Sequence, residues 1–319
     1  MQKNNQTPTT NPPTTPTPTP TKSGFISIVG KPNVGKSSLL NALIGQKVCI
    51  VSPKPQTTRD KILGILTENN YQMVFIDTPG IHEPKTELGK FMKKAINTAA
   101  KDSDIVLVVL DASKGVTGAN VAMLEGFLSK GMRVYVALNK IDLVGFNGVY
   151  PLLTKLAPLM QATETRAAIK EVVPISAKTK ENILKLKEFL ISELEDGVFY
   201  YPDDEVTDRP VRFLIEEIIR EKALLYLQDE IPHGIGVMIQ TMEESSGLAK
   251  ITADIVCEKD SHKLIVIGEK GTQLKQIGTA ARLDIEKQLE KKVFLELFVK
   301  VRKDWRNRQS YMDDLGYSK

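Results

Sequence analysis

The segment from Gly30 to Ser37 constrains the fold of this chain more than any other. It reads GKPNVGKS and matches the spacing of two glycines, a lysine and a serine that forms phosphate-binding loops. An apolar run, FISIV, precedes it, and a helical pattern, SSLLNALIG, follows it. In that setting the loop can turn its backbone N–H groups toward phosphate oxygens at a helix N-terminus. The sequence therefore predicts a strand–loop–helix unit that binds phosphate.

The side chains of this loop have separate expected roles. Lys36 is placed to bridge the β- and γ-phosphates of a nucleotide, and the Ser37 hydroxyl is placed to ligate Mg²⁺. The other nucleotide contacts of this segment are expected from its backbone and the first helical turn. They are Gly30, Lys31, Pro32, Asn33, Val34, Gly35 and Ser38.

Short apolar runs alternate with helical patterns from Phe25 onward. The runs fall at 25–29, 73–76, 105–110, 134–138 and 172–175, with helical patterns at 37–44 and 88–101. Each run has the length of a buried strand, so the alternation predicts a mostly parallel α/β sheet. Residues 61–66 are a candidate for an added edge strand.

Further polar loops follow the predicted strands. In Asp77-Thr78-Pro79-Gly80, the carboxylate can hold a metal-bound water and the glycine N–H can reach the γ-phosphate. After the run at 172–175, Ser176-Ala177-Lys178 can supply a backbone N–H to guanine O6. Open α/β sheets bind ligands at the carboxyl ends of their strands, so these loops are predicted to converge with the phosphate-binding loop.

The loop Asn139-Lys140-Ile141-Asp142 carries the expected base specificity. Asp142 can accept two hydrogen bonds from guanine N1–H and its exocyclic amine, a pattern that adenine does not present. Asn139 can meet the guanine edge and the neighbouring loops, and the Lys140 stem can cover the base plane. These residues favour a guanine nucleotide as the ligand.

The chain divides into two domains with flanking segments. The pattern of elements changes after the polar stretch DGVFYYPDDEVTDRP, and its 319 residues suffice for two domains. Beyond that stretch we predict a helix at 211–227, two strands, a strand LIVIG, a helix and a last strand, which is an α+β domain. We assign a disordered Thr/Pro-rich tail to 1–22, the nucleotide domain to 23–198, a linker to 199–210, the second domain to 211–304 and a tail to 305–319.

The second domain contains a GxxG loop, Gly268-Glu269-Lys270-Gly271. Basic residues outnumber acidic ones from this loop to Arg308, which favours contact with phosphates. Gly268, Lys270, Gly271 and Lys275 are the candidate RNA-binding residues. Glu269 departs from this pattern, because a carboxylate beside a phosphate is unfavourable.

Taken together, the nucleotide loops resemble the translation-factor-like family of small GTPases. Within it, the stretch GKPNVGKSSLLNALIGQKVCIVSPKPQTTRDKILGI is similar to the Era subfamily of ribosome-assembly GTPases, as are the order of elements around GxxG and the tail DWRNRQSYMDDLGY. The resemblance implies an α/β P-loop GTPase domain followed by an α+β type II KH domain, whose GxxG loop clamps about four nucleotides of RNA. It implies the cofactors GTP/GDP and Mg²⁺, with 16S rRNA and the 30S subunit as partners.

The resemblance also assigns catalytic roles. Thr58 would be the switch I residue that joins Mg²⁺ and the γ-phosphate, acting with Lys36, Ser37, Asp77 and Gly80, while Thr57 is the competing candidate for that role. Ras-like proteins carry a water-orienting glutamine after the glycine of this motif, but this chain has Ile81, so we expect slow intrinsic turnover. Asn33 is a candidate K⁺ ligand, or it only shapes its loop.

Composition and charge bear on location and partners. Cys49 and Cys257 follow no metal-ligand spacing, and no apolar run approaches the ~20 residues that span a bilayer, so we expect a cytoplasmic protein. A net charge of +4 does not by itself indicate nucleic-acid binding. Three alternatives stay open: the peripheral association with the inner face of the cell membrane that the resemblance implies, a second domain that docks a protein, and a passive RNA-binding module with a vestigial nucleotide pocket. We expect a monomer.

Overall fold

The computed structural model describes residues 20–54, 57–81, 86–163, 167–228 and 231–317. Most of the predicted N-terminal tail, residues 1–19, lies outside them. Lys22, the last residue assigned to that tail, begins the first strand.

The elements of the first domain alternate between strand and helix. The strands are β1 (Lys22–Val29), β2 (Ile62–Glu68), β3 (Tyr71–Asp77), β4 (Ile105–Asp111), β5 (Val134–Asn139), β6 (Ile169–Pro174) and β7 (Glu195–Asp196). The helices are α1 (Lys36–Ile44), α2 (Glu87–Lys101), α3 (Gly118–Leu128), α4 (Gly145–Leu156) and α5 (Ile183–Ser192).

The strands form one sheet of order β2-β3-β1-β4-β5-β6, with β7 pairing with the start of β1. β1 is parallel to β3 and β4, and β5 is parallel to β4 and β6, which confirms the mostly parallel sheet. β2 is antiparallel to β3 at the edge, as its sequence suggested. Along β4, Leu107 and Val109 enter one core while Val106 and Val108 enter the other, so the sheet is covered on both faces.

The second domain follows with a different order of elements. They are α6 (Val211–Tyr226), β8 (Gly236–Glu244), β9 (Leu248–Cys257), α7 (Asp260–Ile267), α8 (Thr272–Leu289), β10 (Lys292–Val301) and α9 (Gln309–Asp314). The sheet has the order β10-β9-β8, with β10 parallel and β8 antiparallel to β9. Its core is closed by one face of α8, where Ile277, Ala281 and Ile285 are fully buried.

One predicted element of this domain is wrong. The run LIVIG was predicted as a strand, but Leu264 to Ile267 form the last turn of helix α7. Leu264 and Ile265 are 72% and 52% exposed whereas Val266 is fully buried, so the run does not enter a sheet core. A short apolar run carries too little periodicity to separate strand from helix. Gly268, with φ 74°, ends α7, and the GxxG loop therefore joins two helices.

The predicted linker, 199–210, lies against the first domain. Gln72 of β3 accepts hydrogen bonds from the backbone N–H groups of Tyr200 and Tyr201. The N–H of Ile65 in β2 donates to the Val206 carbonyl at 2.9 Å. The linker thus runs beside β3 and along β2 before α6 begins.

The C-terminal segment bridges the two domains. Trp305 and Met312 are fully buried and pack with Leu88 and Met92 of α2, in a cluster that also contains Tyr317. None of the helices in the described part of the chain is long and apolar enough to cross a membrane.

Candidate functional site: the nucleotide loops and the GxxG groove

The phosphate-binding loop has a backbone that its glycines permit. Gly35 has φ 100°, and a Cβ there would collide with the Asn139 side chain. Lys36 is 6% exposed, and its Nζ donates to the carbonyls of Gly30 and Lys31 at 3.1 Å each. Burial lowers the pKa of Lys36 to about 8, against the opposing charge of Asp77. The lysine is held across the mouth of its own loop, where a phosphate would replace the two carbonyls as its partner.

Three oxygen-bearing side chains meet beside this lysine. The Ser37 hydroxyl donates to Asp77 Oδ2 at 2.6 Å, and the Thr58 hydroxyl reaches the same oxygen at 3.2 Å. Ser37 Oγ and Thr58 Oγ1 are 2.9 Å apart. The other carboxylate oxygen of Asp77, Oδ1, is buried and has no hydrogen-bond partner among the residues that the structure describes. Burial raises the pKa of Asp77, opposed first by Lys36.

These three residues fit a hard divalent cation. Hydroxyl and carboxylate oxygens are the ligands that Mg²⁺ prefers, and it binds proteins through few of them while keeping waters and substrate phosphates. A buried carboxylate oxygen without a partner is costly unless a cation or a water satisfies it.

Thr57 and Thr58 point to different partners. The Thr58 hydroxyl lies in the oxygen cluster and its residue is 7% exposed. The Thr57 hydroxyl instead donates to the Lys54 carbonyl at 2.7 Å, within its own loop. The geometry therefore favours Thr58 as the ligand.

The loop after β3 packs directly on the phosphate-binding loop. The buried Thr78 hydroxyl donates to the Ile28 carbonyl at 2.8 Å, and Pro79 is buried beside it. A Cβ on Gly80 would lie 2.7 Å from Pro32 Cα, so this close approach needs glycine. Ile81 packs against the apolar core that contains Val106 and Val108, and its side chain brings no polar group to the loop.

The residues predicted to recognise the base are tied to the phosphate-binding loop and to each other. Asn139 Nδ2 donates to the Val34 carbonyl at 2.9 Å, while its Oδ1 accepts from the Ala177 N–H at 2.9 Å. Asp142 accepts a 2.7 Å hydrogen bond from Ser176 Oγ. The structure thus brings the predicted loops after β1, β3, β5 and β6 together at the carboxyl edge of the sheet.

The other predicted residues surround this site. Lys31 Nζ lies 3.4 Å from Thr117 Oγ1, and Asn33 Nδ2 donates to the Pro53 carbonyl at 2.7 Å. Ser38 lines a cleft of about 410 Å³ beside Lys36, Ser37 and Thr58, and Lys178 is exposed.

Sequence analysis missed Asp111, the last residue of β4. Its carboxylate is 3% exposed and binds Lys140 Nζ at 2.7 Å, and the same Nζ also donates to the Asn33 carbonyl at 2.7 Å. Asp111 thereby fixes the lysine stem expected to cover the base. Its position at the end of a buried strand was the available signal, the one used for Asp77.

A groove lies beside the GxxG loop in the second domain. It holds about 690 Å³ and is lined by α8 and β10. The lining residues are Gly271, Leu274, Lys275, Gly278, Thr279, Arg282, Leu295 and Leu297. Lys270 is exposed within the loop, as is Glu269, and Gly268 cannot carry a Cβ without meeting Gln273. An apolar floor with basic residues at its rim suits stacked bases and a phosphate backbone.

Fold and site together define a P-loop GTPase domain joined to a KH domain. The family model for 50S ribosome-binding GTPase matches residues 25–140, and the model for the KH domain matches residues 230–306. The chain belongs to the Era family of GTPases: GTPase Era from Clostridium kluyveri is 45% identical over 297 residues, which cover 93% of this chain and 99% of that protein. GTPase Era from Clostridium botulinum strain Okra is also 45% identical, over 299 residues.

Two solved structures share the whole arrangement. One is a crystal structure of Era in complex with MgGDPNP and nucleotides 1506–1542 of 16S ribosomal RNA, with 38% identity, a TM-score of 0.88, and coverage of 94% of this chain and 100% of that one. The other is a variant of Aquifex aeolicus Era bound to GDP·AlF4⁻, with 38% identity, a TM-score of 0.87, and coverage of 93% and 100%. Both confirm the expected fold of a GTPase domain followed by a KH domain.

Proposed function

We propose that this GTPase couples GTP hydrolysis to the binding of 16S rRNA through its KH domain, and that it assists assembly of the 30S subunit. The observation that carries the proposal is the meeting of Ser37, Thr58 and Asp77 around an unpartnered buried carboxylate oxygen, beside Lys36. The RNA part is supported by the groove at the GxxG loop and by the related Era structure that contains MgGDPNP and 16S rRNA.

The residues divide the work of hydrolysis. Lys36 would exchange its two carbonyl partners for β- and γ-phosphate oxygens, and Gly80, packed against Pro32, would bring its N–H to the γ-phosphate. Ser37, Thr58 and Asp77 would hold Mg²⁺, and the bound cation would neutralise charge on the phosphates. Water attacks the γ-phosphorus, the bond to the bridging oxygen of GDP breaks, and phosphate leaves. Positioning and charge supply most of the acceleration.

The nucleotide base is read by Asp142, with Ala177 and Asn139 as supports. Asp142 accepts from Ser176 on one carboxylate oxygen, Oδ1, and this contact orients the group for guanine. Asn139 links the base loops to the phosphate-binding loop through Val34 and Ala177, so base and phosphates are held in one fixed geometry.

Turnover without a partner is slow because Ile81 packs into an apolar core and has no group that orients water. A missing charge of the arginine-finger kind is worth roughly 10³ to 10⁵ in rate. Bound RNA or a monovalent cation is the candidate source of that stimulation.

We expect K⁺ to accelerate hydrolysis relative to Na⁺. Asn33 Nδ2 donates to the Pro53 carbonyl, so the loop residue and a carbonyl of the switch I segment already lie together, and their oxygens are hard ligands for such a cation. The measurement is GTP turnover in KCl and NaCl at matched ionic strength, with Asn33→Ala as the comparison. Equal rates in the two salts would leave Asn33 with a role in loop shape alone.

We expect an oligonucleotide from the 3′ end of 16S rRNA to stimulate GTP hydrolysis, and a scrambled oligonucleotide of equal length to have no such effect. The KH groove holds single-stranded bases, and RNA binding supplies what Ile81 does not. The assay is phosphate release with each RNA. Basal hydrolysis that neither RNA changes would exclude the coupling and leave the GTPase assignment standing.

Changing the charge of the GxxG loop distinguishes RNA binding from the alternative in which the second domain docks a protein or a membrane. Lys270→Glu places a second carboxylate beside Glu269 at the GxxG loop, and it should weaken RNA binding and its salt dependence. Lys287→Glu, also on an exposed lysine but at the far end of α8, is the matched control. RNA binding that is insensitive to both changes and to salt would favour the protein-docking alternative.

We also propose that the protein works as a cytoplasmic monomer, with any association at the inner face of the membrane being peripheral and electrostatic. The exposed lysines around the GxxG loop support such an association. Light scattering at working concentration tests the monomer, and sedimentation with anionic vesicles tests the association.

A further inference from the structure

Both neighbours of Thr58 are held by the second domain. The Thr57 carbonyl accepts a hydrogen bond from Arg220 Nη2 of α6 at 2.5 Å. On the other side, Arg59 Nη1 donates to the Ile235 carbonyl at 2.5 Å. The residue assigned to Mg²⁺ therefore sits between two anchors that belong to a different domain.

The first anchor is a buried arginine. Arg220 is 1% exposed, and its Nε and Nη2 form a two-point ion pair with Glu217, one turn earlier on α6, at 2.6 Å and 2.5 Å. The pair fixes the direction of the guanidinium, because a forked contact leaves it little rotational freedom. Arg220 thus reaches the Thr57 carbonyl from a preset position.

The second anchor is an aromatic cage. The guanidinium of Arg59 lies 5.5 Å from the Trp305 ring centre and 6.0 Å from that of Tyr317. It also donates to the His233 carbonyl at 3.1 Å. Arg59 is 2% exposed, and its guanidinium points toward residues of the second domain and of the C-terminal segment.

A third contact continues along the same segment. The carboxylate of Glu221, next to Arg220 on α6, accepts from the Val51 N–H at 2.9 Å and from Lys47 Nζ at 2.6 Å. Glu221 is 3% exposed. Arg220 and Glu221, adjacent on α6, thus contact the backbone at Thr57 and Val51.

We propose that Arg220 and the Arg59 cage are positioning residues for Thr58, so that docking of the second domain completes the Mg²⁺ site of the triphosphate state. The proposal rests on the GTPase mechanism proposed above. Thr58 Oγ1 lies within 3.2 Å of Asp77 and 2.9 Å of Ser37, and release of either backbone neighbour lets it leave that cluster. Loss of residues that orient metal ligands costs 10- to 100-fold in metal affinity.

The same contacts would connect nucleotide binding to RNA binding. Arg220 of α6 contacts Thr57, and Trp305 and Tyr317 contact Arg59, so release of Thr58 on loss of the Mg²⁺-bound triphosphate would loosen these contacts with the second domain. The coupling between nucleotide and RNA then runs through Thr57, Thr58 and Arg59, and it is the same in both directions.

The first test compares nucleotide affinities as Mg²⁺ is varied. The paired variant Glu217→Gln with Arg220→Gln removes the anchor without leaving a buried carboxylate unpaired. We expect about 10-fold more Mg²⁺ to be needed for half-maximal binding of a nonhydrolysable GTP analogue, with GDP affinity unchanged. Arg212→Gln, on the same helix but bonded to the Ile239 carbonyl, is the matched control and should behave as wild type.

The second test uses Trp305, the only tryptophan of the chain. Arg59→Met keeps an unbranched side chain in the aromatic cage and removes the charge. It tests the positioning of Thr58 from the side of the first domain, and it does not depend on the folding of α6. In wild type we expect the GTP analogue and GDP to give different Trp305 fluorescence, and we expect this difference to vanish in Arg59→Met together with the preference for Mg²⁺.

The outcomes separate the two proposals. Wild-type protein that neither binds nor hydrolyses GTP would overturn the proposed function. Normal wild-type activity with an unchanged Mg²⁺ requirement in both variants, or an equal loss for GTP and GDP, would overturn the positioning role alone.

Discussion

Asp142→Asn is expected to weaken GTP binding at least 100-fold and to favour xanthosine triphosphate. The carboxylate would accept from guanine N1–H and the exocyclic amine, and each hydrogen bond to a charged group contributes roughly 1.5 to 3 kcal/mol. Asparagine turns a donor toward these donors, whereas xanthine presents a carbonyl oxygen at the same edge. Equilibrium binding of the two triphosphates to wild type and variant is the measurement.

The control for this prediction is built into the site. Asp142 is exposed and bonded only to Ser176 among the contacts of the described residues, so the substitution preserves the fold and the phosphate loop. Inorganic phosphate release from xanthosine triphosphate should continue at a rate near that of wild type on GTP. GTP affinity that is unchanged in the variant would remove Asp142 from base recognition.

Lys36→Ala is expected to reduce GTP hydrolysis by roughly 10²- to 10³-fold, the usual effect of removing one preorganised donor from a site where charge develops. Lys36 is the buried cation of the phosphate-binding loop, and its Nζ donates to the backbone carbonyls of Gly30 and Lys31. Single-turnover phosphate release measures the loss apart from binding.

Lys114→Ala is the comparison variant for this substitution. Lys114 is an exposed lysine that follows β4 at the same edge of the sheet. It should keep wild-type turnover. Hydrolysis that survives Lys36→Ala would mean that the measured activity arises elsewhere, and would leave this domain as a passive nucleotide pocket.

The meeting of the candidate nucleotide loops was predictable from the sequence because strand ends of a parallel sheet meet at one edge. Asp77, Asn139 and Ser176 each follow a short apolar run, and periodicity identifies such runs locally. Asp111 obeys the same rule and was overlooked because it stands in no recognisable motif. The prediction of Thr58 over Thr57 came from resemblance, and the geometry of their hydroxyls favours it.

Two features were beyond the sequence for physical reasons. A run of four apolar residues such as LIVI is equally compatible with a buried strand and with the exposed end of a helix. The tertiary structure distinguishes the two, because Val266 is buried whereas Leu264 and Ile265 are exposed. The contacts of Arg59 and Arg220 join residues more than 150 positions apart. Arg220 and Glu221 are charged residues of α6, and only the docking of the two domains shows that they are buried.

The segment between the domains also protects an edge of the first sheet from pairing with another molecule. β2 lies at one edge of the first sheet, and an uncovered strand edge is a template for pairing with another chain. The Val206 carbonyl accepts a hydrogen bond from the Ile65 N–H, and the Asp208 carboxylate accepts one from the Leu63 N–H. The connecting segment thus covers this edge. A motion that pulled the domains apart by stretching this segment would uncover the edge, and its first sign would be self-association of the protein.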